Sequence, residues 1–583
     1  MTRPVRRAAL IVALVFAGTG VAIAAPQTPA QGLGPDASPD AGTVAASTTR
    51  QAPSPARAEE IARTSPRLTD WLADHPIART AAVRDTDKKL WTVSFIDAAE
   101  KVQAEVLVDD TRDVVTETRT GPQVAWQMAR GYPGAFGRAV TEPQIWIPLL
   151  VLFLVPLLRW RRLLSWHTLD LLALCGFSVS LVWFNRGEIF TSVPLAYPPM
   201  VYLAVRLAWI GLRSPRRTRE PSAETFLPAA GPRRPRLASW CPTWLLVTVM
   251  LVAVGLRLGL NAFDSNVVDV GYAGVIGANR IAHGQTPYGT FPTDCGQCDT
   301  YGPMTYLTYV PFELAMPWIG KWNDLPAAHG AAVLFDLVAL LGMIVLGWRL
   351  GGRRLGVGLG LAWAAFPFTA YALESNSNDS LVAAVLVWGL VLAHRPAARG
   401  LALGLAVMSK FSPALLLVLW ARHPFPRAAT TRRRLTAYLV GVAAAVVLTG
   451  WVLVLDGDNG LRAFWSRTVG YQLDRESPFS IWGQYTWLRP VQIALGVAVA
   501  LFASFVAFRP RRLDLRAFAA LSGALLIGLQ LTATHWFYLY IPWFVPFAVV
   551  ALVPEWPVIR HVGDPADVPP TRAPEPIPAG AVT

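Results

Sequence analysis

A chain of 583 residues that is 53% hydrophobic and only 15% charged, with a mean hydropathy of +0.38, is too apolar for a soluble protein of this length. It suits repeated passage through a bilayer. The net charge of +14 does not point to nucleic acid, because the basic residues fall in short clusters between apolar runs, at 159–162, 213–219, 233–236, 353–354, 431–434 and 509–512. Such clusters mark the cytoplasmic ends of membrane helices.

The chain opens with Arg3, Arg6 and Arg7, an apolar stretch and the small-residue triplet Ala22-Ile23-Ala24. This is the layout of a signal peptide or signal anchor over 1–25, and it places the next stretch of chain outside the cytoplasm. Residues 26–56, rich in Pro, Ala, Ser and Thr, read as a disordered linker with little to pack. Over 57–140 the character changes. ARAEEIAR and LTDWLADHP carry a helical pattern; LWTVSFID alternates Trp91, Val93 and Phe95, and VQAEVLVDD alternates Val102, Ala104, Val106 and Val108, as in a half-buried hairpin. The arrangement resembles the small export-associated PepSY-type domain. That implies an extracytoplasmic α+β module that packs or binds a protein partner, with no chemistry of its own.

Apolar runs follow near 144–158, 165–185, 191–212, 243–262, 327–348, 354–373, 379–394, 434–455, 488–508, 515–534 and 536–553, and two half-length pieces, 400–408 and 412–420, flank Lys410. If 400–420 enters and returns on one side as a hairpin, every basic cluster falls on the cytoplasmic face. The acidic and aromatic loops 186–190, 263–326, 374–378 and 456–487 fall on the other. The expected fold is an α-helical polytopic membrane protein of about 11 spans plus a hairpin. It comprises three helices over 144–212, a basic cytoplasmic linker at 213–242, a membrane domain over 243–553 and a Pro-rich cytoplasmic tail at 554–583.

No Walker loop, dinucleotide-binding glycine fingerprint or HExxH motif is present, which argues against an ATP-driven pump. The chemistry-bearing residues gather instead at the external helix ends. Asp264 and Asp269 follow the run 243–262 directly. After Asp269 come Tyr272, Gly284-Gln285-Thr286-Pro287-Tyr288, and Tyr301-Gly302-Pro303 through Leu307 to Pro311. Here the sequence resembles the polyprenol-phosphate-mannose-dependent mannosyltransferases, glycosyltransferase family 87, whose pattern is roughly D-x-x-x-Y, G-x-x-P-Y and Y-P-P-x-x-x-L-x-x-x-P. It departs in having Gly302 where a proline is usual and an aspartate-to-tyrosine spacing shorter by one. Over 243–553 the resemblance implies a C-type membrane glycosyltransferase fold, a polyprenyl-phosphate sugar donor and a glycolipid or glycan acceptor. Asp269 is then the general base, with Tyr272 and Tyr288 near substrate. A sugar hydroxyl is a poor nucleophile at neutral pH, and a carboxylate taking its proton is worth roughly 10²–10⁴-fold. The bland alternative is that Asp269 caps a helix starting near Val270. Asp264 reads as a loop residue.

Four further clusters lie along the chain. Glu374-Ser375-Asn376-Ser377-Asn378-Asp379 is either an external turn or a polar wall on which Asn378 faces substrate; Asp379 would also suit the N-cap of 380–394. Lys410, followed by Pro413, stands between two half-length apolar pieces, where a lysine needs a partner. The resemblance suggests a donor-phosphate contact, and the alternatives are an ion pair or a snorkelling side chain. Residues 472–483 match the family's Q-x-x-R-x-S-P-F-S-x-W-G segment, which implies that Arg475 presents its donor fork to phosphate and Trp482 an apolar face to sugar or lipid. An Arg475 paired with Asp474 or Glu476 is the alternative. His535 matches a family position and would donate to phosphate or sugar, or serve structurally. Cys295 and Cys298 form a disulfide or remain free thiols, the exported setting favouring the disulfide. One CxxC is weak for zinc, and no metal or cofactor is implied.

The reading is a cell-membrane hexosyltransferase with its site and N-terminal domain on the extracytoplasmic side. Two rival classes remain. A transporter or flippase of lipid-linked sugars would favour internal repeats, which are not evident. A non-catalytic assembly protein would depend on residues 57–140 rather than on Asp269.

Overall fold

The computed structural model describes residues 54–87, 89–131, 137–160, 162–213, 241–296, 298–322, 325–422, 431–470, 477–508 and 513–552. The expected signal segment, nearly all of the linker at 26–56, residues 214–240 of the basic linker, the tail at 554–583 and Arg475 lie outside the described residues. The chain divides into two compact units, one holding the described residues to 131 with Val179–Val193, the other holding Gly137–Ser178 and Pro194 onward.

The described part of the first unit begins with α1 (Pro55–Arg63), which starts two residues inside the stretch expected to be linker and otherwise covers the expected helical pattern ARAEEIAR. Ser54 caps it, accepting from the Arg57 amide, and Pro55 occupies the first turn, where its missing N–H costs nothing. α2 (Pro66–Asp74) follows, then a four-stranded antiparallel meander of β1 (Arg79–Asp85), β2 (Leu90–Ile96), β3 (Val102–Asp109) and β4 (Val114–Thr120). Trp91, Val93 and Phe95 stand opposite Val108, Val106 and Ala104, so the alternation read from the sequence lines a single inner face. Ala58, Ile61, Ala62 and Leu68 of the two helices pack on that face. The edge strands β1 and β4 escape a reading by hydrophobic pattern because their exposed positions include Arg79, Arg84 and Thr116. Gln123 Nε2 donates to the carbonyls of Ala129 and Gly187, tying the segment after the sheet to the connection between the first two long helices.

The longer helices that follow, in chain order, are α3 (Pro143–Leu157), α4 (Trp166–Asn185), α5 (Ile189–Leu212), α6 (Thr243–Phe263), α7 (Asp269–Ala282), α8 (Pro303–Ala315), α9 (Pro326–Gly351), α10 (Arg353–Ala365), α11 (Pro367–Glu374), α12 (Asp379–Val391), α13 (Pro396–Ser409), α14 (Leu417–Arg422), α15 (Thr431–Gly450), α16 (Asp458–Trp465), α17 (Arg489–Phe508), α18 (Leu515–Thr532) and α19 (Ile541–Leu552), of which α7, α8 and α16 lie in the loops between apolar runs. Among the described residues, 7 helices are long and apolar enough to cross a bilayer, or 8 if the α10–α11 pair counts as one broken span. That pair bends by 55° where Pro367 cannot continue the helix. Five shorter apolar helices account for the rest of the expected runs.

Arginines close one end of the second unit. Arg349 donates to the carbonyl of Val391, Arg399 to Ala393, Arg422 to Ala507 and Arg516 to Ala551, all at or just past helix C-termini, where carbonyls lack partners and the helix dipole is negative. The chain 396–422 leaves from this end and returns to it. Its tip lies at the opposite end, where the Ser409 carbonyl accepts from the Gly302 amide (3.0 Å) and the Thr305 hydroxyl (2.9 Å) at the start of α8. Between the two ends, Arg257 of α6 and Asp336 of α9 form a buried ion pair at 2.7 Å, with Trp363 Nε1 also donating to Asp336.

Candidate active site

Asp269 is the first residue of α7, with Val268 rather than the aspartate at the capping position. The start of this helix is fixed by its neighbour loop. The Asn266 amide donates to the Glu374 carbonyl and the Val268 amide to the Ser375 carbonyl, while Asn378 Nδ2 reaches the Val270 carbonyl at 3.4 Å. Asp269 is thus bracketed on both sides by residues 374–378. That loop is not a solvated turn: each residue from Glu374 to Asp379 is at most 1% exposed. Asn376 adopts a left-handed backbone (φ 46°), which asparagine tolerates, and its side chain bonds Ser265, the Asn266 carbonyl and Asn261. The approach is close enough that a Cβ at Gly271 would collide with the Asn376 carbonyl. One and two turns on, Gly274 and Gly277 leave room for the rings of Tyr309 and Tyr306.

Asp379 stands at the start of α12, with Asn378 in the capping position that the sequence suggested for Asp379 itself. Its carboxylate is engaged elsewhere: Oδ1 accepts from Lys410 Nζ at 2.5 Å and from Trp543 Nε1 at 2.9 Å. The Lys410 ammonium lies over three rings, 5.1 Å from Tyr301, 5.2 Å from Trp543 and 5.6 Å from Tyr540. Charge pairing and cation–π attraction together hold a cation at a depth where a bare one would be costly. An ammonium has three donors, and the carboxylate takes one.

The Tyr540 ring faces His535 as well, 6.3 Å between centroids, and His535 Nδ1 is 2.8 Å from the Ser477 hydroxyl. Lys410 and His535 therefore share one aromatic partner, and Ser477 directly follows the undescribed stretch that contains Arg475. The loop is anchored by Ser480, which donates to the Thr534 carbonyl (2.6 Å), and by Trp482, whose indole donates to the Leu531 carbonyl (2.9 Å). Trp482 is buried, with Tyr197 against its edge. Its face packs into the protein in this arrangement, and its donor is committed.

Residues 300–533 match the sequence model of glycosyltransferase family 87. The chain is a glycosyltransferase family 87-like protein. No curated protein and no solved structure matches it. The matched segment takes in Tyr301, the 374–379 loop, Lys410 and Ser477–Gly483; Asp269 lies ahead of it and His535 just beyond.

In this membrane glycosyltransferase the two tyrosines of the sequence pattern serve to pack the loop between α7 and α8. Tyr272 stacks on Trp322 (4.7 Å) and donates to Asp294 at 3.2 Å; burial, then the Asp294 charge, pushes its phenol up to about 12. Tyr288 is buried against Tyr306 and Phe464, donates to the Tyr301 carbonyl, and is pushed well above the usual phenol range by burial. The same loop is bound to the α16 region. The Thr286 amide donates to Asp456, and Arg467 pairs with buried Asp299 at 3.0 Å and donates to the Gly296 carbonyl. Burial raises the Asp299 carboxyl above the usual range, against the Gly289 amide and Arg467. Cys295 and Cys298 are joined as a disulfide within this loop. Among the described residues no group of three or more His, Cys, Asp or Glu could hold a metal ion.

Sequence reasoning missed Asp379, Tyr540 and Trp543 as neighbours of Lys410. The available signal was the lysine itself, since a buried cation implies a carboxylate elsewhere in the apolar runs. Asp264, read as a loop residue, accepts from the Ala139 amide (3.2 Å) and lies 3.7 Å from Arg138, so it fixes the chain entering α3.

Proposed function

We propose that the protein transfers a sugar, mannose by its resemblance, from a polyprenyl-phosphate donor to an extracytoplasmic glycolipid or glycan. The observation that carries this reading is the buried polar loop 374–379, whose one end brackets Asp269 and whose other end supplies the carboxylate bound to Lys410. A base and a phosphate-binding cation are thereby tied to one short rigid segment. In the reaction the acceptor hydroxyl oxygen attacks the anomeric carbon and the bond from that carbon to the phosphate oxygen breaks. The electron pair leaves on polyprenyl phosphate, and the hydroxyl proton passes to Asp269. One displacement inverts the anomeric centre. The leaving phosphate is already a stable anion, so no dedicated acid is needed. Lys410, His535 and Arg475 hold its oxygens, with the two ammonium donors not used by Asp379 turned to phosphate. Asn378 orients the sugar beside Asp269.

The test is transfer in membranes supplied with polyprenyl-phosphate mannose and a lipid acceptor. Asp269→Asn is expected to lower the rate by roughly 10²-fold or more while the donor still binds. Retained transfer by that variant would remove Asp269 as the base, and no transfer by the wild-type protein from this donor would remove the donor assignment.

A further inference from the structure

The first unit contains a cavity of about 290 Å³ that the transfer chemistry does not use. It lies between α2 and the connection that joins α4 to α5, all within that unit. Its size is at the lower end of small-molecule sites, which run from roughly 300 to 1,000 Å³, and leaves room for one or two sugar rings.

Two classes of side chain line it. Trp71 and His75 stack, centroids 3.9 Å apart and 4° from parallel, and His75 Nδ1 lies 2.9 Å from the Trp71 carbonyl, which fixes the pair. Phe190 continues the apolar surface 6.4 Å from Trp71 and is 44% exposed. The Trp71 indole N–H is buried and has no hydrogen-bond partner among the described residues. Around these rings stand the carboxylates of Asp70, Asp74 and Glu188, all exposed, with Arg67 as the lining's single guanidinium.

The geometry points to a binding site for a neutral glycan, separate from the site of transfer. A pyranose presents a C–H face that packs on aromatic rings and a rim of hydroxyls that donate to carboxylates. Three carboxylates against one arginine repel phosphosugars and acidic glycans, so the ligand class is uncharged. This assignment rests on the glycosyltransferase identity of the chain and not on the role of Asp269. A site of this kind would hold a growing glycan by a sugar away from the reacting end, raising its effective concentration.

The test uses the full chain in detergent micelles, titrated calorimetrically with mannobiose, cellobiose and maltose. At least one is expected to bind, and Phe190→Ala and Glu188→Gln, both at exposed positions, are expected to weaken it at least fivefold with melting temperature unchanged. Asp269→Asn should bind that disaccharide as the wild-type protein does, which separates this site from transfer. The proposal is overturned if no disaccharide binds, if both cavity variants bind as well as wild type, or if tetramethylammonium displaces the sugar and binds more tightly, which would make the cavity a cation site.

Discussion

Lys410 Nζ lies 2.5 Å from Asp379 Oδ1 with both side chains buried, so the lysine's charge is balanced by the protein before any anion arrives. Removing one partner of such a pair strands the other, at a cost of about 3–5 kcal/mol. Lys410→Met and Asp379→Asn are each expected to lower the melting temperature in detergent. The double variant should recover much of that loss because neither charge is left alone. Transfer should stay low in all three, which separates the pair's structural role from the role toward phosphate proposed for the lysine.

Backbone proximity at α7 and α8 gives a second expectation. At Gly271 an added Cβ meets the Asn376 carbonyl, and at Gly302 the Met408 carbonyl. Alanine at either position should destabilise by about 1–3 kcal/mol and displace Asp269 or the hairpin tip, with transfer falling further than stability alone explains. Gly255→Ala is the control, since nothing lies within 4 Å of its Cβ position. Chemical denaturation and initial rates on the same preparations decide the matter.

The pair of Arg257 and Asp336 offers a test of fork geometry in the helix bundle. Arg257 Nη2 serves Asp336 while Nη1 donates to the carbonyls of Trp363 and Ala364. Lysine keeps the charge but cannot span these acceptors, so Arg257→Lys should destabilise by several kcal/mol, close to the effect of Arg257→Met. Thermal melts that find the lysine variant as stable as wild type would show that charge alone suffices.

The Tyr272 phenol provides a pH-dependent signal. Its value rises from the ordinary 10.0 to about 12 on folding, so its contribution to stability is fully present below pH 10 and is lost as pH rises through about 12. At pH 11 the folded protein should hold Tyr272 neutral. Tyr272→Phe should therefore leave phenolate absorbance at pH 11 unchanged in the folded state and reduce it by one group after unfolding. The lost bond to Asp294 should cost about 1 kcal/mol.

The seven long apolar helices were legible in the sequence because their runs are long and bounded by basic or aromatic residues. The hairpin was legible because Lys410 and Pro413 interrupt one such run. What the pattern could not disclose is how deep the polar residues lie. Glu374–Asp379 reads equally as a turn in water, and only the packing of α7 against it makes it a buried strut. Nor does periodicity pair residues 31 positions apart, as in Asp379 with Lys410, or reveal that Trp482 turns inward to Leu531. In the first unit the strands β1 and β4 stayed hidden for the opposite reason, having too little apolar alternation to register.

In the folded protein Arg349, Arg399, Arg422 and Arg516 are each bonded to a carbonyl at or near a helix end, and on the topology expected from the sequence all four would also count among the basic residues that orient the chain during insertion. On that topology, orientation and folding are written in the same side chains. An attempt to invert this protein by neutralising them would uncap four helix ends in the same stroke, so a failed inversion and a misfolded product would look alike in the cell. Redirecting the chain would require new charges in the undescribed linkers, leaving these four in place.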